Sequence, residues 1–397
     1  MLTFLNTYRY HLVIAFMIAS VISYFLLSAS QTLYAEADTI GKNVANFKEF
    51  ETRFQDLAKE KGGAYAYEVL KRAAIPPNTD LHLLGHTVGD VLYAQVGIDG
   101  IALCTQDFRN ACSHSIVIGA LNEFGGEPAL LKIRDACKKA PGGSGAYTMC
   151  YHGLGHGIFA FYSYSFPETV ELCGKTGTPE YRNREATECV GGAVMELSGG
   201  GGHDREAWNV AREKYLNDPV GLCMGPYIPD DTKSQCLTYI TPELWRVAGI
   251  DLGKPQPELF EKAFALCDVI PRSESALRKS CYGGFGKEFV PLALGRDIRE
   301  IAKFGDRETE TVEKWCASAP LQDARVACME QAVQSLFWGG ENDPNITFRF
   351  CAYLQDGDLQ TACYKELAVA IDSYTFDDRK SILCAQVPAQ FQNRCLQ

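Results

Sequence analysis

Residues 150–157 read Cys150-Tyr151-His152-Gly153-Leu154-Gly155-His156-Gly157, and most of the predicted architecture follows from this octapeptide. The chain repeats it in part as Cys281-Tyr282-Gly283-Gly284-Phe285-Gly286-Lys287-Glu288. Weaker copies begin at Cys189, Cys328 and Cys363. Because the chain is built from repeats it can be compared with itself, and positions that depart from the repeat stand out.

All 16 cysteines of the 397-residue chain fall into eight couples. An apolar residue precedes the first cysteine of most couples at the end of a helix-like run, and a polar loop separates the two cysteines. The unit is therefore helix, cysteine, loop, cysteine, helix. Its spacing of roughly 32–50 residues is typical of helical repeats, in which each unit buries its apolar face against its neighbours. The couples are Cys104/Cys112, Cys137/Cys150, Cys173/Cys189, Cys223/Cys236, Cys267/Cys281, Cys316/Cys328, Cys351/Cys363 and Cys384/Cys395.

The cysteine spacing favours disulfides over other cysteine chemistry. The chain contains no Cys-x-x-Cys, which argues against zinc ribbons and thioredoxin-like redox pairs, and no Cys-x-x-Cys-His for covalent haem. Couples separated by a short loop suit local disulfides, each worth up to about 3 kcal/mol for a loop of ~15 residues. Pairing between neighbouring units is the competing arrangement.

The predicted fold is all-α: a solenoid-like array of disulfide-stapled helical hairpins behind an N-terminal transmembrane helix. Residues 1–11 form a cytoplasmic N-terminus in this prediction, and residues 12–35 a transmembrane anchor or signal peptide. Residues 36–79 form N-terminal helices, with Thr79 or Asp80 capping the next helix. Residues 80–397 form the array, and a histidine site lies within 80–203.

The N-terminal segment indicates the compartment. Residues 12–35 carry no charge, follow Arg9 and precede Glu36, which places the bulk of the chain in the periplasm or outside the cell. A retained single-pass anchor is favoured by the length of the apolar run, and a cleaved signal peptide is the alternative. Disulfides require the same oxidising side. The net charge of −11 argues against nucleic acid as a partner.

Two positions in each unit carry the functional argument: the residues two and six places after the second cysteine. Residues 80–86, which lack cysteines, take the same register in front of the array. Five of the seven histidines occupy these two positions in three successive units, and other residue types replace them later. The first position holds His82, His114, His152, Gly191, Thr238, Gly283, Glu330 and Lys365, and the second holds His86, Ile118, His156, Met195, Pro242, Lys287, Gln334 and Val369.

Histidines four residues apart share one helix face and can give two nitrogens to one metal ion. The predicted ligands are therefore His82, His86, His114, His152 and His156, with Asp90 at the next i+4 step as a carboxylate ligand or an orienting group. Such a donor set suits a transition metal ion, either zinc, iron, manganese or copper (Zn, Fe, Mn or Cu). We expect one ion held by two units with the third nearby, or a dinuclear centre.

Other interpretations of these residues remain open at this point. The histidines are also compatible with polar core positions that bond to backbone between close helices. Haem held by two histidines, or by a histidine and Met195, is a further option. His203 is a candidate extra ligand on a loop, and Glu196 and Glu288 are candidate acid/base groups whose default environment is an exposed helix face.

Two functions follow from this pattern. The first is a membrane-anchored extracytoplasmic metal-binding protein, which would activate water or dioxygen if the ion keeps an open position. The alternative is a non-catalytic scaffold whose concave face binds a protein or peptide partner. No nucleophile-elbow, phosphate-loop or dinucleotide motif is present in the sequence to favour another enzyme class.

Overall fold

A computed structural model describes residues 16, 31–200, 204–337, 343–375 and 377–396, without the side chains of residues 300 and 377. Within these residues the fold is all-helical and contains no strand, as predicted. The helices are α1 (31–40), α2 (Phe47–Lys61), α3 (Gly63–Leu70), α4 (Leu81–Val96), α5 (Asp107–Phe124), α6 (Gly126–Cys137), α7 (Gly143–Phe161), α8 (Phe166–Gly174), α9 (Arg184–Gly199), α10 (Arg205–Tyr215), α11 (Pro219–Met224), α12 (Lys233–Tyr239), α13 (Thr241–Ala248), α14 (Pro257–Ala265), α15 (Ser275–Ala293), α16 (Asp306–Cys316), α17 (Gln322–Phe337), α18 (Pro344–Tyr353), α19 (Gly357–Tyr374), α20 (Asp377–Cys384) and α21 (Ala389–Cys395). Short 3₁₀ turns lie at Gly97–Leu103, Asp230–Thr232, Leu266–Val269 and Ile298–Lys303.

All eight disulfides are local, which confirms the predicted pairing over pairing between units. Their Cα–Cα separations run from 5.4 to 5.9 Å, which is ordinary for a disulfide. In each couple the first cysteine ends or follows one helix or 3₁₀ turn, and the second lies inside the helix that follows the loop. Each bond therefore fastens an outer helix to an inner one. The inner helices are α4, which lacks a cysteine, and then α5, α7, α9, α12, α15, α17, α19 and α21.

Each inner helix packs on the next in chain order, and the series curves until its end meets its beginning. Helix α19 contacts α7, where the Ser144 hydroxyl donates to the carbonyl oxygen of Tyr374 at 3.1 Å, and the Tyr374 hydroxyl donates to Glu188 Oε1 on α9 at 2.9 Å. On the other side, the backbone N–H of Asn78 donates to the carbonyl of Gly295 at 2.6 Å. The array therefore returns on itself, and units distant in sequence share one interior.

Glycines allow this close packing. A Cβ on Gly155 would lie 1.9 Å from the carbonyl oxygen of Cys189, and one on Gly192 would lie 1.9 Å from that of His152. No side chain fits at such separations, so α7 and α9 approach backbone to backbone. The high glycine density of these helices is explained by close helix contact.

The predicted membrane segment lies mostly outside the described residues. Residues 1–11 are among those left undescribed, and of residues 12–35 only Phe16 and 31–35 are described. In the part of the chain that the structure covers, no helix combines the length and apolar character needed to cross a bilayer. Helices α1 to α3 occupy the region predicted for N-terminal helices, and Asp80 caps α4 by accepting from the Leu83 N–H at 3.0 Å.

Candidate metal centre

The five histidines singled out by the repeat form one cluster. His82 and His86 lie on α4, His114 on α5, and His152 and His156 on α7. Neighbouring ring centroids are 4.7 to 6.0 Å apart, and His114 is in contact range of the other four rings. Three successive inner helices therefore direct their imidazoles to one place, as the register predicted.

Small residues bring these helices close enough for the rings to meet. A Cβ on Gly85 would lie 2.6 Å from Ala111 Cβ across the α4–α5 contact. A Cβ on Gly153 would lie 2.3 Å from Cδ2 of His114, so the His114 ring occupies the space that the glycine leaves on α7. Because Gly153 directly follows His152, this contact seats His114 between the two histidines of α7.

A strained turn at the start of α5 supplies one of the groups that orient the cluster. Phe108, Arg109 and Asn110 adopt left-handed backbone angles, with φ of 56°, 55° and 62°. Non-glycine residues rarely adopt this conformation, and three in succession are costly. The turn places the Phe108 carbonyl oxygen 2.7 Å from Nδ1 of His82.

Fixed acceptors determine the tautomers of His82 and His156. A carbonyl oxygen can only accept, so Nδ1 of His82 carries the proton and donates to Phe108. Likewise Nδ1 of His156 donates to Oε2 of Glu196 at 3.0 Å. In both rings the lone pair is therefore left on Nε2, the arrangement by which carboxylates and carbonyls orient metal-binding histidines.

His86 is oriented in the same way by Ser115. The Ser115 hydroxyl donates to the carbonyl oxygen of His86 at 3.0 Å, so its oxygen accepts from Nδ1 of His86 at 3.2 Å. The Nε2 lone pair of His86 then faces the Nε2 lone pair of His82, with the two nitrogens 3.2 Å apart. Two lone pairs at this distance repel each other unless a cation lies beside both nitrogens. The separation is what two ligands of one ion show when each N–metal bond is about 2.0–2.1 Å.

His114 completes the donor set. Its ring is fully buried, and neither ring nitrogen has a hydrogen-bond partner among the residues that the structure describes. Buried polar atoms are nearly always bonded, so two such nitrogens on one ring need an explanation. One ligand atom from each of His82, His114 and His156 lies within 4.8 Å of the others, a spacing from which small ring movements would bring all three onto one ion.

Burial keeps three of the imidazoles neutral. Removal from water lowers the pKa of His82 to about 4, with the neighbouring His156 adding to the effect. Burial likewise lowers the pKa of His152 to about 4 and that of His114 well below its usual value. A neutral ring keeps a lone pair, so these histidines are in the protonation state that metal binding requires at neutral pH.

A cavity of about 400 Å³ opens onto this cluster and is enclosed by inner helices from both halves of the array. His82, His86 and His156 line it, while His114 and His152 lie behind them. Charged side chains of both signs line the remaining wall. They are Asp80, Arg109, Glu196, Arg212, Glu243, Arg246, Lys287, Glu288 and Arg296.

Much of this charge is paired within the wall. Glu243 accepts from Arg212 at 2.5 Å and from Arg246 at 2.6 Å, and the buried Lys287 forms an ion pair with Glu288. Burial lowers the pKa of Lys287. Burial alone would raise the pKa of Glu288, but the adjacent Lys287 and Arg109 charges lower it. The cavity is thus a polar chamber with the histidines on one side and a lysine–glutamate pair in its wall.

Several predicted residues take other places. Asp90 is exposed and does not belong to the ligand triplet, because each i+4 step advances about 40° around a helix of 3.6 residues per turn, so two steps from His82 rotate it off the histidine face. His203 lies outside the described residues. Nε2 of His152 contacts the Met195 sulfur at 3.3 Å, which leaves no room for a haem plane between them.

Glu196 and Glu288 are buried, with 4% and 9% of their surface exposed, against the expectation of an exposed helix face. Both directly follow the second register position of their units, at Met195 and Lys287, which is the signal the sequence offered. Sequence reasoning missed Ser115 and Glu188. Ser115 directly follows His114, but nothing in the repeat marks it as an acceptor.

A comparison of the chain with known protein families, with curated proteins and with solved structures finds no match. The interpretation of the cluster therefore depends on its own geometry and chemistry.

Proposed function

We propose that this protein is an extracytoplasmic metal-binding protein in which His82, His114 and His156 hold a transition metal ion, with His86 beside them. The observation that supports this proposal most strongly is the orientation of the rings. Fixed acceptors hold the N–H groups of His82, His86 and His156 away from the centre, so their lone pairs converge on it. A purely structural set of histidines would direct the N–H groups of some rings at the lone pairs of the others.

The cavity gives the ion a side open to small molecules. Three of the histidines line the cavity, whose volume of about 400 Å³ is that of a small-molecule site rather than of a groove for a folded partner. An ion with an open position supplies Lewis acidity and an activated water or dioxygen. Glu196 holds His156 in place, and Glu288 and Lys287 are polar groups that a bound molecule would meet in the opposite wall.

The donor set limits the metal. Imidazole nitrogens suit zinc, copper, iron and nickel. Three neutral histidines do not reduce the positive charge of the ion, so a fourth ligand in the open position experiences that charge in full. Of the predicted metals, zinc, iron and copper therefore suit the first site better than manganese, which prefers oxygen ligands, and metal analysis distinguishes them directly.

The proposed location is the periplasm or the cell exterior, with residues 12–35 tethering the chain to a membrane. Eight disulfides support an oxidising compartment, since reducing compartments keep such cysteines as thiols. The uncharged run of residues 12–35 supports the tether.

Metal analysis of the full chain tests the proposed function. Wild-type protein, a His82→Ala/His156→Ala variant and an Asp90→Ala control are loaded with each candidate metal and freed of excess by dialysis. We expect about one tightly held ion in the wild type and in the control, and loss of that ion in the double variant with helicity retained by circular dichroism. Equal, near-zero metal in all three proteins would overturn the proposal.

A further inference from the structure

We propose that a second, soft metal ion, copper(I), binds on the far side of His114, between His152 and Met195. This inference rests on the proposed metal-binding function and deepens it, because it adds a second ion of defined chemical class to the same cluster. Three features support it: the spacing of two donor atoms, the tautomer of His152 and the two buried nitrogens of His114.

The two donor atoms already have the separation that a shared ion needs. Nε2 of His152 lies 3.3 Å from Sδ of Met195. Two atoms bonded to one metal at about 2.0–2.3 Å each lie at a comparable distance from one another. Met195 occupies the second register position of its unit, the position that holds His156 in the preceding unit, so the repeat replaces an imidazole with a thioether at an equivalent place.

A buried carboxylate determines which nitrogen of His152 is the donor. Nδ1 of His152 faces Oε2 of Glu188 at 3.6 Å. Glu188 is surrounded by the donors Tyr374 and Gln235 and lies 3.6 Å from the Arg184 guanidinium, which suits a carboxylate that can only accept. The tautomer of His152 that this carboxylate favours carries its proton on Nδ1, 3.6 Å from Glu188, and leaves the Nε2 lone pair toward the sulfur. A soft cation between nitrogen and sulfur satisfies both.

Residues distant in sequence hold that carboxylate. Glu188 also accepts from the Tyr374 hydroxyl at 2.9 Å and from the Gln235 side chain at 3.1 Å. These bonds fix its direction toward His152. The contact between α19 and α9 that helps to close the array thus also holds the carboxylate that faces a proposed ligand.

His114 connects the two sites. Its ring is 5.7 Å from the ring of His152 and 5.3 Å from that of His82, and within the described part of the chain its two ring nitrogens have no hydrogen-bond partner. One nitrogen serves the first ion and the other serves the second. A ring that binds two ions carries no proton, so binding of the second ion releases the His114 N–H proton to the solvent.

The donor chemistry selects the ion. Thioether sulfur is a soft ligand that favours copper(I), whereas the all-nitrogen set of the first site accepts harder ions. Met195 also lines the cavity, so a copper ion can reach the sulfur without passing through the protein core.

The test is a copper(I) titration of the full chain under anaerobic conditions against a chromophoric copper(I) chelator, after the first site has been filled with zinc. The variant is Met195→Leu, which nearly conserves volume. The matched control is Met224→Leu, at the end of α11 and away from the cavity lining. X-ray absorption of the copper-loaded wild type reports whether sulfur is bonded to copper.

We expect one zinc and one copper ion per chain in the wild type and the control, with a sulfur neighbour in the copper spectrum. In Met195→Leu we expect copper(I) affinity to fall by at least about 100-fold, the upper limit for losing a residue that only orients a ligand. Bound zinc without bound copper, or copper without a sulfur neighbour, would overturn the second site and leave the first intact. If neither zinc nor copper binds the wild type, the second site is overturned, and the first is overturned as well if the other candidate ions are not retained either. If Met195→Leu is unstable, the sulfur signal of the wild type decides alone.

Discussion

The helix pairs α7–α9 and α15–α17 use the same packing but carry different chemistry. In α7, a Cβ on Gly155 would meet the Cys189 carbonyl oxygen at 1.9 Å, and in α15 a Cβ on Gly286 would meet that of Cys328 at 1.7 Å. In each pair a glycine five residues after a cysteine lets the helix lie against the backbone of the next unit. The two pairs are therefore copies of one structural device.

The polar residues of the two pairs differ. Where α7 carries His152 and His156, α15 carries Gly283 and Lys287. His156 and Lys287 both line the cavity, and each is held by a buried glutamate from a neighbouring register position. The comparison teaches that cysteine and glycine build the scaffold while the residues two and six places after the cysteine determine the chemistry of each unit.

Replacing the packing glycine should be equally damaging in both pairs. Gly155→Ala and Gly286→Ala each place a methyl group against a backbone carbonyl that cannot rotate away. We expect a loss of about 5 kcal/mol or more of unfolding free energy, in the exceptional range for single substitutions. Thermal unfolding of the disulfide-intact protein measures it. Gly174→Ala is the control, since its Cβ would meet no atom of the described residues within 4 Å. A large loss of stability in only one of the two variants would show that the α7–α9 and α15–α17 pairs are not structurally equivalent.

Replacing Lys287 should lower the free energy of unfolding without changing the metal content of the protein. In Lys287→Met the carboxylate of Glu288 loses its partner in a buried environment, which costs about 3–5 kcal/mol for a typical buried pair. We expect the lower end, because the Arg109 and Arg296 charges also act on Glu288. Urea unfolding and metal content are measured on the same samples. Reduced metal content in folded Lys287→Met would mean that the α15–α17 pair contributes to metal binding at the histidine site.

Replacing His156, the counterpart of Lys287 in α7, should reduce metal binding with little change in the stability of the protein. His156→Gln keeps a polar side chain of similar size but removes the imidazole donor, so we expect metal affinity to fall by at least about 100-fold, or about 2.7 kcal/mol. Thermal stability of the metal-free protein should change little. Isothermal titration calorimetry measures the affinity. Unchanged affinity would remove His156 from the ligand set.

Glu196→Gln should weaken metal binding less than loss of a ligand does. The amide still meets Nδ1 of His156 but holds the ring less firmly than the carboxylate. Loss of an orienting partner typically costs about 10–100-fold in metal affinity. The same calorimetric titration is compared with that of His156→Gln. An effect as large as that of His156→Gln would indicate that Glu196 binds the ion itself.

His86→Gln should stabilise the metal-free protein slightly. Its amide N–H can donate to Nε2 of His82, where the wild type sets two lone pairs 3.2 Å apart. We expect a gain of about 1 kcal/mol, the value of one hydrogen bond. Differential scanning calorimetry in the presence of a chelator measures it. A loss of stability would indicate that one of the two rings is protonated in the wild type.

The sequence predicted what depends on local pattern. Helices, disulfide partners and the five histidines all follow from the repeat, because each is encoded within one unit and copied into the next. The positions of Asp90 and Glu196 depend on how far a helix rotates and which neighbour covers it, which spacing alone does not determine. The Tyr374–Glu188 bond joins residues 186 apart, and no local signal predicts that the array closes there.

The central claim is that three successive units place imidazoles around one ion. Anomalous diffraction from crystals of the metal-loaded full chain, recorded at the absorption edge of the bound metal, tests it most directly. We predict a strong peak about 2.0–2.1 Å from Nε2 of His82, Nε2 of His156 and one ring nitrogen of His114. A loaded protein whose anomalous peaks lie only on surface carboxylates, with the five rings unmoved and no peak among them, would contradict it.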